Sequence, residues 1–514
     1  MRGKTLWIAG ALSALPGAAV AQSIGDTIDG WVAWSTGWFV GFIFSAFPGT
    51  DIPWIVGWLV TAAAVFTVYF GFIQFRAFGH AIALVMGRYS DPGHLGEVSH
   101  FQALTAALSG TVGLGNIAGV AVAVSIGGAG ATFWMIVAGL LGMASKFTEC
   151  TLGVKYRNEY PDGTVSGGPM YYIRKGFAER GLPFGRPLAA LFAVFCVLGA
   201  LGGGNMFQAN QAASQMGAVF GVPTWVTGLV LAVVVFAVIV GGIRSIARVT
   251  EKVVPFMGLG YVLVSLMILL AHADMIVWAF GEILRGAFSD TGIVGGIVGA
   301  IIQGFRRAAF SNEAGVGSAA IAHSAVRTKE PITEGFVSLL EPFVDTVVIC
   351  TMTALVIIIT QQLLIDPETG RYILTEAGRI ATASGATGGV PITSAAFGSA
   401  FAWAPFALAV AVILFAFSTI ITWAYYGVKA WTYLSGEGAG KELVFKLVFC
   451  AFVFIGAVSG LDAVIDFSDA AIFAMGLVNV VALYLLMPVV KCELQSYLAR
   501  LKSGEIRPAR SHPM

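Results

Sequence analysis

Ala107-Leu108-Ser109-Gly110-Thr111-Val112-Gly113-Leu114-Gly115-Asn116 and Phe305-Arg306-Arg307-Ala308-Ala309-Phe310-Ser311-Asn312-Glu313-Ala314-Gly315-Val316-Gly317-Ser318 are the two stretches that decide the fold. Each lies inside an apolar run long enough to cross a bilayer, and each puts glycine and small polar residues at mid-run. Glycine in a helix interior costs about 1 kcal/mol against alanine, so both helices should break there. Irregular backbone at membrane depth is tolerated only where it lines a cavity. A broken helix offers free N–H groups at one half-helix end and free carbonyls at the other. The N–H ends suit a carboxylate, and the carbonyl ends suit Na⁺ or an ammonium group. The pair of breaks would hold a zwitterion and a cation with Thr111, Gly113, Gly115 and Asn116 from one and Ser311, Asn312, Gly315 and Gly317 from the other. Glycines placed only for close helix packing would explain a lone break, but not two Gly/Asn-rich breaks at matched positions.

The surrounding chain fits a membrane. Of 514 residues, 57% are hydrophobic and 11% charged, against roughly 25% charged in soluble domains. A formal net charge of +1 gives no ground for a nucleic-acid partner. A spanning helix needs about 20 mostly apolar residues. The runs that qualify are 54–75, 101–126, 131–154, 187–217, 223–243, 251–271, 293–323, 335–360, 394–427, 442–460 and 463–488, about eleven transmembrane helices in an all-α integral membrane fold. The two broken spans sit five apart, so they run in opposite directions. The spans then group as an extra helix (54–75), one five-helix repeat (101–271) and a second, inverted one (293–488), the arrangement that most directly points to a transport site.

Residues 1–21, with Arg2 and Lys4 before an apolar stretch and Ala19-Val20-Ala21 at its end, read as a signal peptide. Residues 22–53 then start outside the cytoplasm. The Trp- and Phe-rich part, 31–48, should lie in the membrane interface, as should the amphipathic stretch Met275 to Phe288. Alternating eleven spans from that start places twenty-one Lys and Arg residues in the inside loops and the tail (489–514), and only Arg285, Arg371 and Arg379 outside. This is the positive-inside pattern of a multi-pass plasma-membrane protein with a cytoplasmic C-terminus.

Other residues are candidates for the same site. Gly202-Gly203-Gly204-Asn205 precedes Gln208, whose amide would contact a substrate or bond a neighbouring helix. Ser418 and Thr419 are adjacent hydroxyls in an apolar helix, able to ligate a hard cation or to bond back to the preceding turn. Glu334, Glu341 and Asp345 share one face of the eighth span, and Lys146 and Glu149 are spaced to pair. One of Arg306 and Arg307 would face an outer vestibule and meet a carboxylate when the site closes, or they would form a fixed structural ion pair. The six histidines show no metalloenzyme spacing; His80, His94 and His100 fall in a loop and His323 at a span end. No catalytic set emerges, and neither a continuous polar lining nor a filter sequence supports a channel. The five cysteines read as small buried residues.

The strings SGTVGLGNIAGVA in the second span, GGAGATFWMIVAGLLG at 127–142, FSNEAGVGSA from Phe310 and FSTIITWAYYG from Phe417 make the chain similar to the alanine/glycine:cation symporters, also called sodium:alanine symporters, over about residues 54–495. Thr132 and Ile136 depart from that pattern, where an aliphatic residue and Trp are usual. The resemblance implies a LeuT-type fold of five-plus-five inverted repeats and uptake of alanine or glycine with Na⁺, or sometimes H⁺, across a bacterial inner membrane. It implies substrate contacts from Thr111, Gly113, Gly115, Gln208, Phe310, Ser311, Asn312 and Thr419. It implies a Na⁺ site from the carbonyls of Ser109, Val112 and Phe415 with the hydroxyls of Ser418 and Thr419, and a second near Thr111, Asn116 and Ser311. In a proton-driven carrier, Glu341 or Asp345 would hold the proton. Oligomeric state is not legible.

Overall fold

The computed structural model describes residues 30, 34–90, 93–161, 163–288, 296–360, 363–364, 372–375, 379–386 and 388–508. The signal-peptide reading of 1–21 lies outside the described residues. The described chain is helical apart from a two-residue hairpin pairing, Asn158–Glu159 with Val165–Ser166, and a few isolated bridges. The helices that matter are α1 (Trp54–Tyr69), the broken α2 (α2a His100–Thr111, α2b Gly115–Gly127), α3 (Gly130–Lys155), α4 (Gly185–Phe220), α5 (Thr224–Ile239) and α6 (Gly242–Ala271). They continue with the broken α7 (α7a Gly296–Asn312, α7b Ala319–His323), α8 (Pro331–Ile359), α9 (Ala404–Ser435), α10 (Ala439–Val458) and α11 (Leu461–Ser503).

By length and composition, six of these are able to cross a bilayer, or seven with the bent pair in α2 taken as one. The other expected spans are helical but fall short. α1 and α5 have 16 residues each, α7a has 17 before it breaks, and α10 carries Lys441, Glu442 and Lys446 in its first two turns. The ninth span also differs from 394–427. The helix there starts at Ala404, after a separate helix Val390–Ala400. Phe401 is extended (φ −140°, ψ 125°) between them, and Pro405 in the first turn of α9 has no N–H with which to continue an earlier helix.

Both anticipated breaks are present. The halves of α2 meet at 49°. α2a begins on a Ser99–Gln102 capping box, so its start is fixed, and Val112 (ψ 85°) turns the chain out of the helix. Between α7a and α7b, Gly315 (φ +84°) and Gly317 (φ +95°) take conformations open to glycine, and Glu313 (φ +54°) shares the left-handed region. Three π-helical turns, Gly115–Gly119, Gly202–Met206 and Phe343–Cys350, lie on α2, α4 and α8. Such turns widen a helix by one residue and favour functional sites.

α3 forms the centre of the bundle, packed against α1, α7, α8 and α11. It is buried without interruption from Gly142 to Val154, although that stretch holds Lys146 and Glu149. The apolar faces of α5, α6 and α10 point outward, with Val233, Phe256, Leu259 and Leu447 exposed. Residues 34–43 are helical, with Trp34, Trp38 and Phe42 exposed and Ile43 buried. On the Ile276–Phe288 helix Val277, Trp278, Phe280 and Leu284 are exposed, the side expected to face lipid.

α4 and α9 cross at Gly204. A Cβ there would stand 2.1 Å from Cγ of Trp423, a fully buried indole. Gly204→Ala is therefore expected to cost about 1–3 kcal/mol, read as a lower thermal unfolding temperature of the purified protein in detergent. An unchanged unfolding temperature would show that the crossing is not close-packed.

Candidate functional site

The break in α2 is built by redirecting backbone donors. In an uninterrupted helix the Gly113 N–H would bond the Ser109 carbonyl; here it donates to Asn116 Oδ1 at 2.8 Å. The Leu114 N–H, due to Gly110, donates to Gln208 Oε1 at 3.0 Å. The Asn116 N–H, due to Val112, donates to the Gly113 carbonyl at 3.2 Å. The carbonyls of Ser109 and Val112 thereby lose their helical donors, which is what a cation ligand requires.

α9 faces these carbonyls. Ser109 Oγ donates to the Ser418 carbonyl at 2.7 Å, so α2a and α9 touch at this level. Ser418 Oγ donates back to the Phe415 carbonyl at 3.0 Å. Thr419 Oγ1 is buried and has no hydrogen-bond partner among the described residues. It lies against the break, since a Cβ on Gly113 would come within 2.4 Å of it. The residues anticipated for a Na⁺ site, Ser109, Val112, Phe415, Ser418 and Thr419, therefore converge at one place. Their donor set is neutral oxygen, the chemistry suited to a hard monovalent cation.

A second cluster sits on the other side of the break. Asn116 Nδ2 donates to Asp345 Oδ1 at 2.7 Å and to the Asp345 carbonyl at 3.0 Å. Ser311 Oγ donates to Asp345 Oδ2 at 2.9 Å, and Thr346 Oγ1 does so at 2.7 Å. A Cβ on Gly115 would stand 3.2 Å from the Ser311 Cα, so the two breaks are in contact. Asn116 and Ser311 meet as expected, but on a carboxylate. Thr111 does not join them: its hydroxyl turns back to the carbonyls of Ala107 and Leu108 at 3.4 and 3.5 Å. An intact helix below the break gives that hydroxyl a local acceptor.

The remaining anticipated contacts are already engaged. Gln208 Nε2 donates to the Gly203 carbonyl at 3.0 Å while its Oε1 holds Leu114, so this amide bonds between helices. Asn312 Nδ2 donates to Thr346 Oγ1 at 2.9 Å, and its Oδ1 accepts from the Ala314 N–H at 3.0 Å, closing the α7 break. Phe310 packs edge-on to Phe207, with ring centroids 5.1 Å apart.

The two faces of the bundle differ in what they carry. On the face poor in Lys and Arg, Arg306 and Arg307 both bond Asp469, Arg306 Nε at 3.0 Å. The Phe44 ring covers the Arg306 guanidinium at 4.2 Å. On the basic face, a cavity of about 620 Å³ is lined by residues including Glu97, Ser166, Ala424, Tyr425, Lys429 and Glu442. Five residues of helix, about 7.5 Å, separate Ala424 from Thr419.

The sequence reading missed Asp469 as the arginine partner and Thr346 as a site neighbour, and weighed Asp345 only as a proton carrier. An aspartate within an apolar span was the available signal for Asp345. His100 is corrected: it opens α2a, is buried and bonds Glu334. Of the five cysteines, Cys492 is exposed and Cys450 half-buried.

The chain is similar to several known proteins. A sodium/alanine symporter of Methanococcus maripaludis is 38% identical over 446 residues, 87% of this chain and 94% of that protein. An amino-acid carrier protein of Bacillus subtilis, AlsT, is 33% identical over 452 residues, 87% of this chain and 90% of its own. Among solved structures, MhsT in complex with L-phenylalanine matches with a TM-score of 0.50 at 12% identity, covering 79% of this chain and 99% of that one; the shared feature is the LeuT-type fold. The family model described as the sodium:alanine symporter family matches residues 39–511, and the chain accordingly belongs to that family, a multi-pass membrane transporter and not an enzyme.

Proposed function

We propose that the chain carries alanine, and glycine beside it, into the cytoplasm together with Na⁺ by alternating access. The observation that carries this reading is the crossing of the α2 break with α9. There, carbonyls of Ser109 and Val112 without their helical donors and the unpartnered Thr419 hydroxyl face one another. Family membership and the name of the archaeal relative support alanine and Na⁺. A Na⁺ ion at this crossing would tie α2a to α9 and hold the break in shape. The substrate carboxylate would meet the N–H groups around Gly113 and Gly115, near Phe310, Ser311 and Asn312. Asn116, Ser311 and Asp345 form the second cation position of this reading.

The proposal includes eleven crossings, with α1 outside two inverted five-helix repeats at 101–271 and 293–488, in a bacterial inner membrane. The basic face is cytoplasmic, as positive-inside charge requires. On that orientation the arginine–Asp469 cluster is the outer closure, and the 620 Å³ cavity is the inner exit. A proton-coupled reading is favoured by one observation, the buried Asp345 carboxylate beside Asn116 and Ser311. Two relatives from Bacillus carry sodium/proton-dependent names.

Labelled alanine supplied to proteoliposomes under an inward Na⁺ gradient, a pH gradient or neither separates the readings. Accumulation is expected with Na⁺ alone. Thr419→Val and Ser418→Ala should then raise the Na⁺ concentration for half-maximal uptake about tenfold, the loss of about 1.4 kcal/mol of ion binding. Accumulation with the pH gradient alone would move the coupling site to Asp345, and no accumulation under either gradient would remove alanine as the substrate.

For the outer closure, Arg307→Ala strips a fully buried partner from Asp469, a loss of about 3–5 kcal/mol for a buried pair. Uptake should fall at least about tenfold while alanine binding to the purified protein persists. Arg306 is partly exposed, so Arg306→Ala should have the smaller effect. Unchanged uptake in both variants would exclude a gate here.

A further inference from the structure

Seven ionisable side chains with no part in the site above are buried together between the α7 break and the basic face. His100 Nδ1 and His323 Nδ1 each bond one oxygen of Glu334, and His323 Nε2 bonds Glu341. Lys146 Nζ is 3.2 Å from Glu341 Oε2 and 3.9 Å from Glu149 Oε1. Glu313 completes the set, held by Trp423 Nε1 at 3.1 Å and by Ser318. All are fully buried except His100 and Glu313, each 3% exposed.

The charges in this cluster do not balance. With both imidazoles charged, three cations face four carboxylates; with both neutral, one cation faces four. A net charge buried at this depth is costly, and the cluster becomes neutral only when a carboxyl also holds a proton. Geometry singles out which one. Both oxygens of Glu334 and of Glu313 have hydrogen-bonding partners; Glu341 bonds His323 and has Lys146 in ion-pair contact at 3.2 Å, although its Oε2 and Lys146 Nζ make no hydrogen bond among the described residues. Glu149 Oε1 has no hydrogen-bond partner among the described residues, and Lys146 is 3.9 Å away. Cys150 of α3, Tyr172 of the Pro169–Glu179 helix, Tyr426 of α9 and Asp345 of α8 also face the cluster.

Glu149 is also linked to the transport site. Its Oε2 accepts from Asn479 Nδ2 at 3.0 Å, and the same Nδ2 donates to the Gly315 carbonyl at 2.9 Å, inside the α7 break. We infer that Glu149 binds an exchangeable proton, delivered from the basic face through His100, Glu334, His323, Glu341 and Lys146, and that its occupancy sets the grip of Asn479 on the α7 break. The step is proton transfer alone. His100 accepts a proton from water at the mouth, each relay group passes one on, and the Lys146 ammonium gives one to Glu149 as it regains one from Glu341. A charged Glu149 holds Asn479 by a charge-assisted bond; the protonated acid holds it less, and the shared amide shifts toward Gly315.

The test is Na⁺-driven alanine uptake in proteoliposomes with equal pH on both sides, between about pH 5.5 and about pH 8.5. Wild-type uptake should change at least about fivefold across that range. Glu149→Gln, which mimics the protonated acid, should be flat within about twofold and stay at the wild-type acid rate, and Glu149→Asp should regain a titration. A Glu149→Gln profile that follows the wild type, or a flat wild-type profile, would overturn the inference. If Glu149→Gln fails to fold, infrared spectra of the wild-type protein decide. A carboxylic-acid carbonyl band that appears as pH falls, and is displaced in His100→Gln, is expected; its absence at every pH would overturn the proton site.

Discussion

The side chain of Asn116 is the constraint on which the rest of the site depends. Its Oδ1 takes the Gly113 N–H from the helix, and its Nδ2 is given to Asp345. One amide thus opens α2, fixes the shape of the opening and ties it to α8. An interruption left to glycine alone would have cost backbone hydrogen bonds with nothing in return at a depth without water. Here the diverted N–H groups of Gly113, Leu114 and Asn116 are recaptured, by Asn116, by Gln208 and by the Gly113 carbonyl, and the Ser109 and Val112 carbonyls are left without their helical donors. Those carbonyls and the Thr419 hydroxyl opposite them offer oxygen lone pairs to a cation.

The π-helical turns serve the same end. Asn116 lies in the one on α2, Asp345 in the one on α8, and the Gly203 carbonyl that holds Gln208 in the one on α4. A wide turn leaves one backbone group out of register and aims one side chain inward, so each of these helices contributes to the site while continuing on its way. Small residues make the approach geometrically feasible: Gly113 against Thr419, Gly115 against Ser311 and Gly204 against Trp423 leave no room for a Cβ without a shift.

How much of this was legible in the sequence follows from what each feature depends on. The breaks were legible because glycine and asparagine disrupt a helix locally, whatever surrounds them. The convergence of Ser109, Val112, Phe415, Ser418 and Thr419 was legible only through the family's strings, since no spacing rule links residues some three hundred positions apart. Local partners decide where two anticipated side chains point: Thr111 sits on an intact turn that satisfies its hydroxyl, and Gln208 finds a backbone donor on α2 and an acceptor in its own helix. The His100–Glu334–His323 bridge was not legible, because histidine ligand spacing rules describe one helix or loop and this bridge joins three helices, with His100 and Glu334 234 positions apart. Span ends slipped most at α9, where the chain is apolar on both sides of the extended residue Phe401, so hydrophobicity alone gives no boundary.

The two closures differ in kind, and that difference bears on the transport cycle. One face is sealed by two arginines on one aspartate with an aromatic lid, a contact whose strength comes from exclusion of water. Separating those charges before water reaches them would cost several kcal/mol, so the closure should open only as the ring of Phe44 moves and hydration replaces the pairing. Phe44 also packs edge-on to Phe473 of α11, four residues beyond Asp469, which couples the segment before α1 to the helix that carries the counter-ion. The other face has a cavity of about 620 Å³, where Lys429 bonds Ser166 and the Val165 carbonyl and Lys446 pairs with Glu442 within one helix. On the proposed reading, binding energy from ion and substrate at the α2–α9 crossing is what must offset the cost of hydrating Asp469.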